Sequence, residues 1–249
     1  IHTMRNLLLT IFSLLLLAAC TNTAPRTKHS ALTKADSLMH THPDSALALL
    51  QSISADSLTD DANRAYHALL LSQALDKNYI DKTDDSLINI AVAYYAKRKL
   101  SREYFLSLYY KGRILRNAGE YPKAMLAYVE AEKYKDFPDN AYLVGLLYKQ
   151  LGNLHYEYSD YPKSLSAYEL ASTYFAEASK NQHYAFCLYD IANVYRQMLN
   201  IKASEKMYLK AMDKAKTISY TYLYNASICG LFMLYVEFDM QEKADSLYR

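Results

Sequence analysis

The residues with the best claim to chemistry are few and scattered. His40-Thr41-His42 is the only close histidine pair. A metal ion would need further ligands, and just ahead of Pro43 the pair reads as a solvated turn. His155 has neither a nucleophile nor a base partner beside it, as acid–base work would require. It occupies a column otherwise filled by Leu115 and Tyr195, so it reads as a packed core histidine. Asp84-Asp85 suits the start of the helix that follows better than a carboxylate dyad. Lys97-Arg98-Lys99 suits a helix end, where positive charge meets the negative pole of the dipole. The chain has 26 tyrosines and no tryptophan. Sugar stacking is one use for such rings, but most of them fall on stripes that read as buried. No C-x-x-C, H-E-x-x-H, G-x-S-x-G or glycine-rich phosphate loop is present. The expectation is a protein that is not an enzyme, with no catalytic residue, no metal site and no cofactor.

The elements that carry these residues follow from composition and period. Of 249 residues, 51% are hydrophobic and 22% charged, as in globular chains. A net charge of +2 argues against a nucleic-acid binder. Five glycines and five prolines are too few for the turns of a sandwich, barrel or propeller. That leaves an all-α chain, and its sequence repeats. Tyr128, Tyr168, Tyr208 and Tyr248 stand forty residues apart, each preceded four residues earlier by Ala124, Ser164, Ser204 or Ala244. Ala131, Ala171 and Ala211 keep the same register, as do Gly112, Gly152 and Ala192, with Phe232 the misfit. Leu108, Gly112 and Leu115 share one helix face by their four-then-three spacing. Gly119 fits a tight turn, and Pro122 and Pro162 fit the first turn of a second helix. Each repeat is therefore a pair of antiparallel helices, with the small residue letting the second helix approach and the tyrosine packing across to the next repeat. Upstream the register loosens: Asp61 to Lys77 and Asp85 to Lys97 form one pair around a longer turn, and Leu32 to Met39 with Pro43 to Ile53 a shorter one. The count is five pairs and a sixth that stops at Arg249.

Tyr148-x-x-Leu151-Gly152-x-x-His155, followed by Ser164-x-x-x-Tyr168 and Ala171, resembles the tetratricopeptide repeat. The departures are a missing Trp, a missing closing Pro and a period of forty instead of about thirty-four. The resemblance implies a right-handed α-solenoid whose first helices line a concave groove holding an extended peptide or a partner helix. Opposite the Leu108 stripe lie Tyr109, Arg113 and Arg116. Their equivalents are Lys149, Asn153 and Tyr156, then Tyr189, Asn193 and Arg196, then Cys229, Met233 and Val236. The first nine are the candidate groove residues, and their positive balance points to an acidic or carboxylate-bearing protein or peptide partner. Lys149 and Asn153 match the start of the carboxylate clamp of chaperone-binding relatives, but Asp190 and Ala226 break it, so that function is not expected.

The N-terminus reads as an address. Met4-Arg5-Asn6 precedes an apolar run, Leu7 to Ala19, too short to span a bilayer. Leu17-Ala18-Ala19-Cys20 resembles the lipobox of bacterial lipoproteins, which implies cleavage ahead of Cys20 and its lipidation. The expected organisation is a signal peptide over 1–19, the lipidated Cys20 and a polar tether over 20–29, divergent repeats over 30–99, and regular repeats over 101–249 with the last truncated. The resemblance is to tetratricopeptide lipoproteins of the Bacteroidetes type, anchored in the cell envelope. Surface-exposed members carry acidic residues soon after the Cys, whereas here the first acid is Asp36, which favours a periplasm-facing anchor. Two alternatives remain: the sensory part of a longer membrane-bound transcriptional regulator, and a glycan-binding outer-membrane lipoprotein. An uncapped last repeat and a start at Ile1 ahead of Met4 read as an incomplete gene product. Cys187 and Cys229 read as buried free thiols.

Overall fold

A computed structural model describes residues 29–54, 57–98 and 101–247. The expected leader, Cys20, the tether up to residue 28 and Tyr248 lie outside the described residues. Twelve helices occur among the described residues, in six antiparallel pairs. They are α1 (Ser30–Leu38) with α2 (Pro43–Gln51), α3 (Asp61–Lys77) with α4 (Ser86–Ala96), and α5 (Ser101–Asn117) with α6 (Tyr121–Glu132). Then come α7 (Ala141–Glu157) with α8 (Tyr161–Glu177), α9 (Asn181–Gln197) with α10 (Ile201–Thr217), and α11 (Thr221–Glu237) with α12 (Gln241–Ser246). The architecture is an all-α solenoid.

The forty-residue register reaches further upstream than the side-chain columns suggest. Helices α3, α5, α7, α9 and α11 are each 17 residues long and start at 61, 101, 141, 181 and 221. The register breaks at α4, which starts at 86 after the longer 78–85 turn, and in the first pair, which starts at 30 and 43. Asp84 makes that start, accepting from the Ser86 backbone N–H at 3.0 Å and its hydroxyl at 2.8 Å.

Turn geometry explains why the period survives where side chains drift. Each long first helix ends on a residue in the left-handed region: Tyr79, Gly119, Ser159, Leu199 and Asp239, with φ between 57° and 76°. The next backbone N–H then reaches back to the carbonyl five residues earlier, as from Glu120 to Leu115, Asp160 to His155 and Asn200 to Tyr195. This is the Schellman closure. Only Gly119 has the residue type that adopts this backbone freely, so four of the five turns are invisible to a search for glycine. Pro122 and Pro162 sit in the first turns of α6 and α8, where a missing N–H breaks no helical bond.

Within a pair the helices touch through the small-residue columns. A Cβ added at Gly112 would lie 2.3 Å from the Tyr128 ring, and one at Gly152 would lie 2.7 Å from the Tyr168 ring. Each ring thus covers a glycine of its own repeat. Tyr208 also reaches forward, its ring 2.4 Å from where a Gly230 Cβ would stand. Ser164 and Ser204 are fully buried yet satisfied, donating to the carbonyls of Gly152 and Ala192 at 2.9 Å. No helix among the described residues is long and apolar enough to cross a membrane.

Candidate functional site

The first helices α5, α7, α9 and α11 carry the candidate groove residues, and most of these already have partners inside the chain. Arg113 pairs with Asp76 of α3 at 2.7 Å. Lys149 pairs with Asp190 of α9. Arg196 pairs with Glu237 at the end of α11 at 3.3 Å. Arg116 leans toward Gln150 of α7 at 3.4 Å. Every one of these contacts joins a first helix to the first helix of the neighbouring repeat. Burial works against the Lys149 ammonium, but Asp190 more than offsets it and holds the amine above its usual range. The charges expected to meet a partner therefore form a ladder that ties repeats together.

The polar and aromatic candidates divide in the same way. Asn153 and Asn193 accept from the hydroxyls of Tyr168 and Tyr208 at 2.7 and 2.5 Å. Tyr109 is a correction to the groove assignment: it is only 4% exposed, held edge-on against Tyr110 and tilted against Tyr128. The face opposite Leu108 is closed at that point, where Tyr109 is part of the hydrophobic core. Tyr189 is half-buried, its ring 5.6 Å from that of Tyr208. Tyr156 is half-buried and meets Tyr161 edge-to-face. Arg116, Asn153, Tyr156, Glu157, Asp190 and Asn193 do converge, around a polar cleft of about 310 Å³. Glu157 is its most exposed carboxylate. Cys187 is buried as expected, its thiol pushed up to about 12 by burial, whereas Cys229 is exposed, contrary to expectation. It stands on the open face of α11, where no further first helix covers it among the described residues.

Sequence reasoning missed Asp76, Gln150 and Glu237 as ladder partners. A signal was present: Lys149 with Asp190 and Arg196 with Glu237 are both 41 residues apart, one period plus one. It also missed a larger cleft of about 640 Å³, lined in part by His40, Lys77, Tyr142, Lys180 and His183. No group of three or more His, Cys, Asp or Glu side chains is arranged to hold a metal ion among the described residues. His155 is half-buried, with Nδ1 3.9 Å from Asp160, and burial lowers its pKa.

Comparison with known proteins places the fold. No protein-family model and no curated sequence matches the chain. Solved structures do. The RapI apo structure aligns with a TM-score of 0.69 at 15% identity, covering 88% of this chain and 62% of that one. A Rap protein complexed with competence and sporulation factor gives 0.64 at 17%, with 88% and 63% covered. BtubC from P. vanneervenii gives 0.57 at 12%, covering 88% of this chain and 84% of that one. The chain thus spans somewhat less than two thirds of the Rap structures it resembles. A kinesin light chain with TPR-like repeats from Podosopora anserina also aligns, at a TM-score of 0.53 and 15% identity. The fold is that of a tetratricopeptide-type solenoid.

Proposed function

We propose that this chain is an interaction scaffold, lipid-anchored through Cys20 in the cell envelope and facing the periplasm, that holds a protein or peptide partner against its first helices. The observation that carries the reading is the polar cleft around Tyr156 and Glu157, open between α5, α7 and α9. One structurally similar Rap protein was solved as a complex with competence and sporulation factor, which supports ligand binding by this type of solenoid. The anchor rests on the lipobox-like Leu17-Ala18-Ala19-Cys20.

Two sites for a photo-crosslinking residue test the groove in intact cells. Glu157 lies in the cleft, whereas Leu126 of α6 is 71% exposed on the opposite, second-helix side. A discrete adduct from position 157 and none from position 126 is expected; adducts from 126 alone, or from neither, would refute the groove. Replacing Cys20 with Ala should release the protein from membranes. Retention of Cys20→Ala in the membrane fraction would refute the anchor and leave the groove reading untouched.

A further inference from the structure

Positive charge was expected along the groove, but the ladder neutralises it there. Of the four basic groove candidates only Arg116, on the neutral Gln150, lacks a carboxylate partner among the described residues. A separate group of cations without ion pairs among these residues lines the 640 Å³ cleft. His40 comes from the α1–α2 turn, Lys77 from the last turn of α3, and Lys180 and His183 from the start of α9. Residues more than a hundred apart in sequence thus meet across the curve of the solenoid. Among the described residues no carboxylate lines this cleft. Neither Lys77 nor Lys180 takes part in any ion pair among the described residues. The nearest acids are already engaged: Asp76 holds Arg113, and Asp36 accepts from the Tyr66 hydroxyl at 2.6 Å.

We infer that this cleft is a binding site for a phosphoryl group carried by a small solute, held between Lys77 and Lys180. Charge selects the class. Two unpaired lysines match a dianion, and a phosphate concentrates nearly two charges and three acceptor oxygens on one group. A single carboxylate would leave one lysine uncompensated. The lysines supply charge-assisted donors, and the Ser179 and Asn181 side chains on the same wall can add neutral ones. Tyr142 closes the apolar side, with the Lys180 ammonium 5.0 Å from its ring centre.

The two histidines register the positive potential of the cleft. The His183 pKa is lowered to about 4, by burial first and then by Lys149, Lys180 and Lys77. That of His40 is lowered by burial and by Lys77, against the opposing pull of Asp36, with Lys180 and Arg102 adding to the lowering. An anion between the lysines reverses the Coulombic part of both effects, so binding must be accompanied by proton uptake.

Inorganic phosphate and pyrophosphate, titrated into the whole chain at constant ionic strength, test this through the histidine ring NMR signals. Saturation with pyrophosphate, which keeps about two negative charges through the range in which His183 titrates, should raise the His183 pKa by about one unit or more, because a nearby opposite charge favours imidazolium. Lys77→Gln and Lys180→Gln should each weaken binding roughly tenfold, while Lys202→Gln, on α10 outside the cleft, should leave it unchanged. The inference is overturned by an unmoved His183 signal up to roughly 10 mM phosphate. It is equally overturned if chloride at matched ionic strength raises the His183 pKa as far as pyrophosphate does, or if Lys202→Gln weakens binding as much as the cleft variants. Folding of each variant is checked by its melting temperature, so loss of binding is not confused with loss of structure.

Discussion

Three equivalent tyrosines should respond to the same one-atom deletion with opposite signs. Tyr128, Tyr168 and Tyr208 all have buried rings. Tyr168 and Tyr208 donate to Asn153 and Asn193. At the corresponding place beneath Tyr128 stands Arg113, whose guanidinium has donors only and is turned toward Asp76. The Tyr128 hydroxyl is accordingly buried with no hydrogen-bond partner among the described residues. Tyr168→Phe and Tyr208→Phe each remove a formed bond and strand an asparagine oxygen, a loss of about 1 kcal/mol. Tyr128→Phe removes an unsatisfied polar group and leaves the ring seated over Gly112, a gain of about 1 kcal/mol. In a chain of this size each should move the melting temperature by roughly 2–4 °C. Urea unfolding followed by circular dichroism, with a check that the slope is unchanged, measures the difference directly. If Tyr128→Phe lost as much stability as Tyr168→Phe, the hydroxyl would have a partner and the proposed consequence of the Arg113 substitution would be wrong. Arg113→Asn is the poorer test, since it supplies an acceptor only by stranding Asp76.

Two further outcomes follow from the backbone and from burial. Leu199 holds φ at 57° with its side chain 70% exposed, so Leu199→Gly should stabilise by about 0.5–1 kcal/mol in the same urea assay; a loss would mean the leucine side chain packs. The His183 pKa is about 4 in the folded chain against about 6.5 unfolded, so protons favour the unfolded state. The penalty is absent well above the unfolded value and grows as pH falls from about 6.5 toward 4. Discounted for partial exposure, it amounts to roughly 1–2 kcal/mol. His183→Gln removes it, so the variant should gain on wild type over that window, and a pH-independent difference would refute the burial assignment.

The helix pairs were legible because they are written in side chains that must be small or apolar. Gly112, Gly152, Pro122, Pro162 and the tyrosine columns each have one physical use in a repeat, and that use fixes their spacing. The register of α3 was harder to see, since the turn that sets it places Tyr79 where Gly119 stands one repeat later. Tertiary packing holds a tyrosine there against its own preference. The groove was only half legible. Helical spacing put Tyr109, Arg113 and Lys149 on one face correctly, but it could not say whether that face meets solvent or the next first helix. For Tyr109 the answer is the core, and for Lys149 it is Asp190. The cleft was not legible at all, because His40 and His183 are brought together by the curvature of the whole array, which no local pattern encodes.

That division has a consequence for how the solenoid recognises anything. Stability in a repeat array is close to a sum of nearest-neighbour interfaces. Here each interface along the inner face includes a first-helix contact: Asp76 with Arg113, Arg116 with Gln150, Lys149 with Asp190, Arg196 with Glu237. A partner that drew on those charges would have to break them, and removing one member of a part-buried pair leaves the other uncompensated. Tyr156 is itself tied to Gln197 of the next first helix, so binding along the inner face is left to groups that hold no rung of the ladder, such as Glu157, whose contribution is shape and hydrogen bonding. Lys77 and Lys180 add long-range attraction at the cleft, opposed only in part by Asp76 and Asp36. An anionic ligand is thus drawn to the cleft and not along the groove, and its capture should weaken with salt while groove binding changes little.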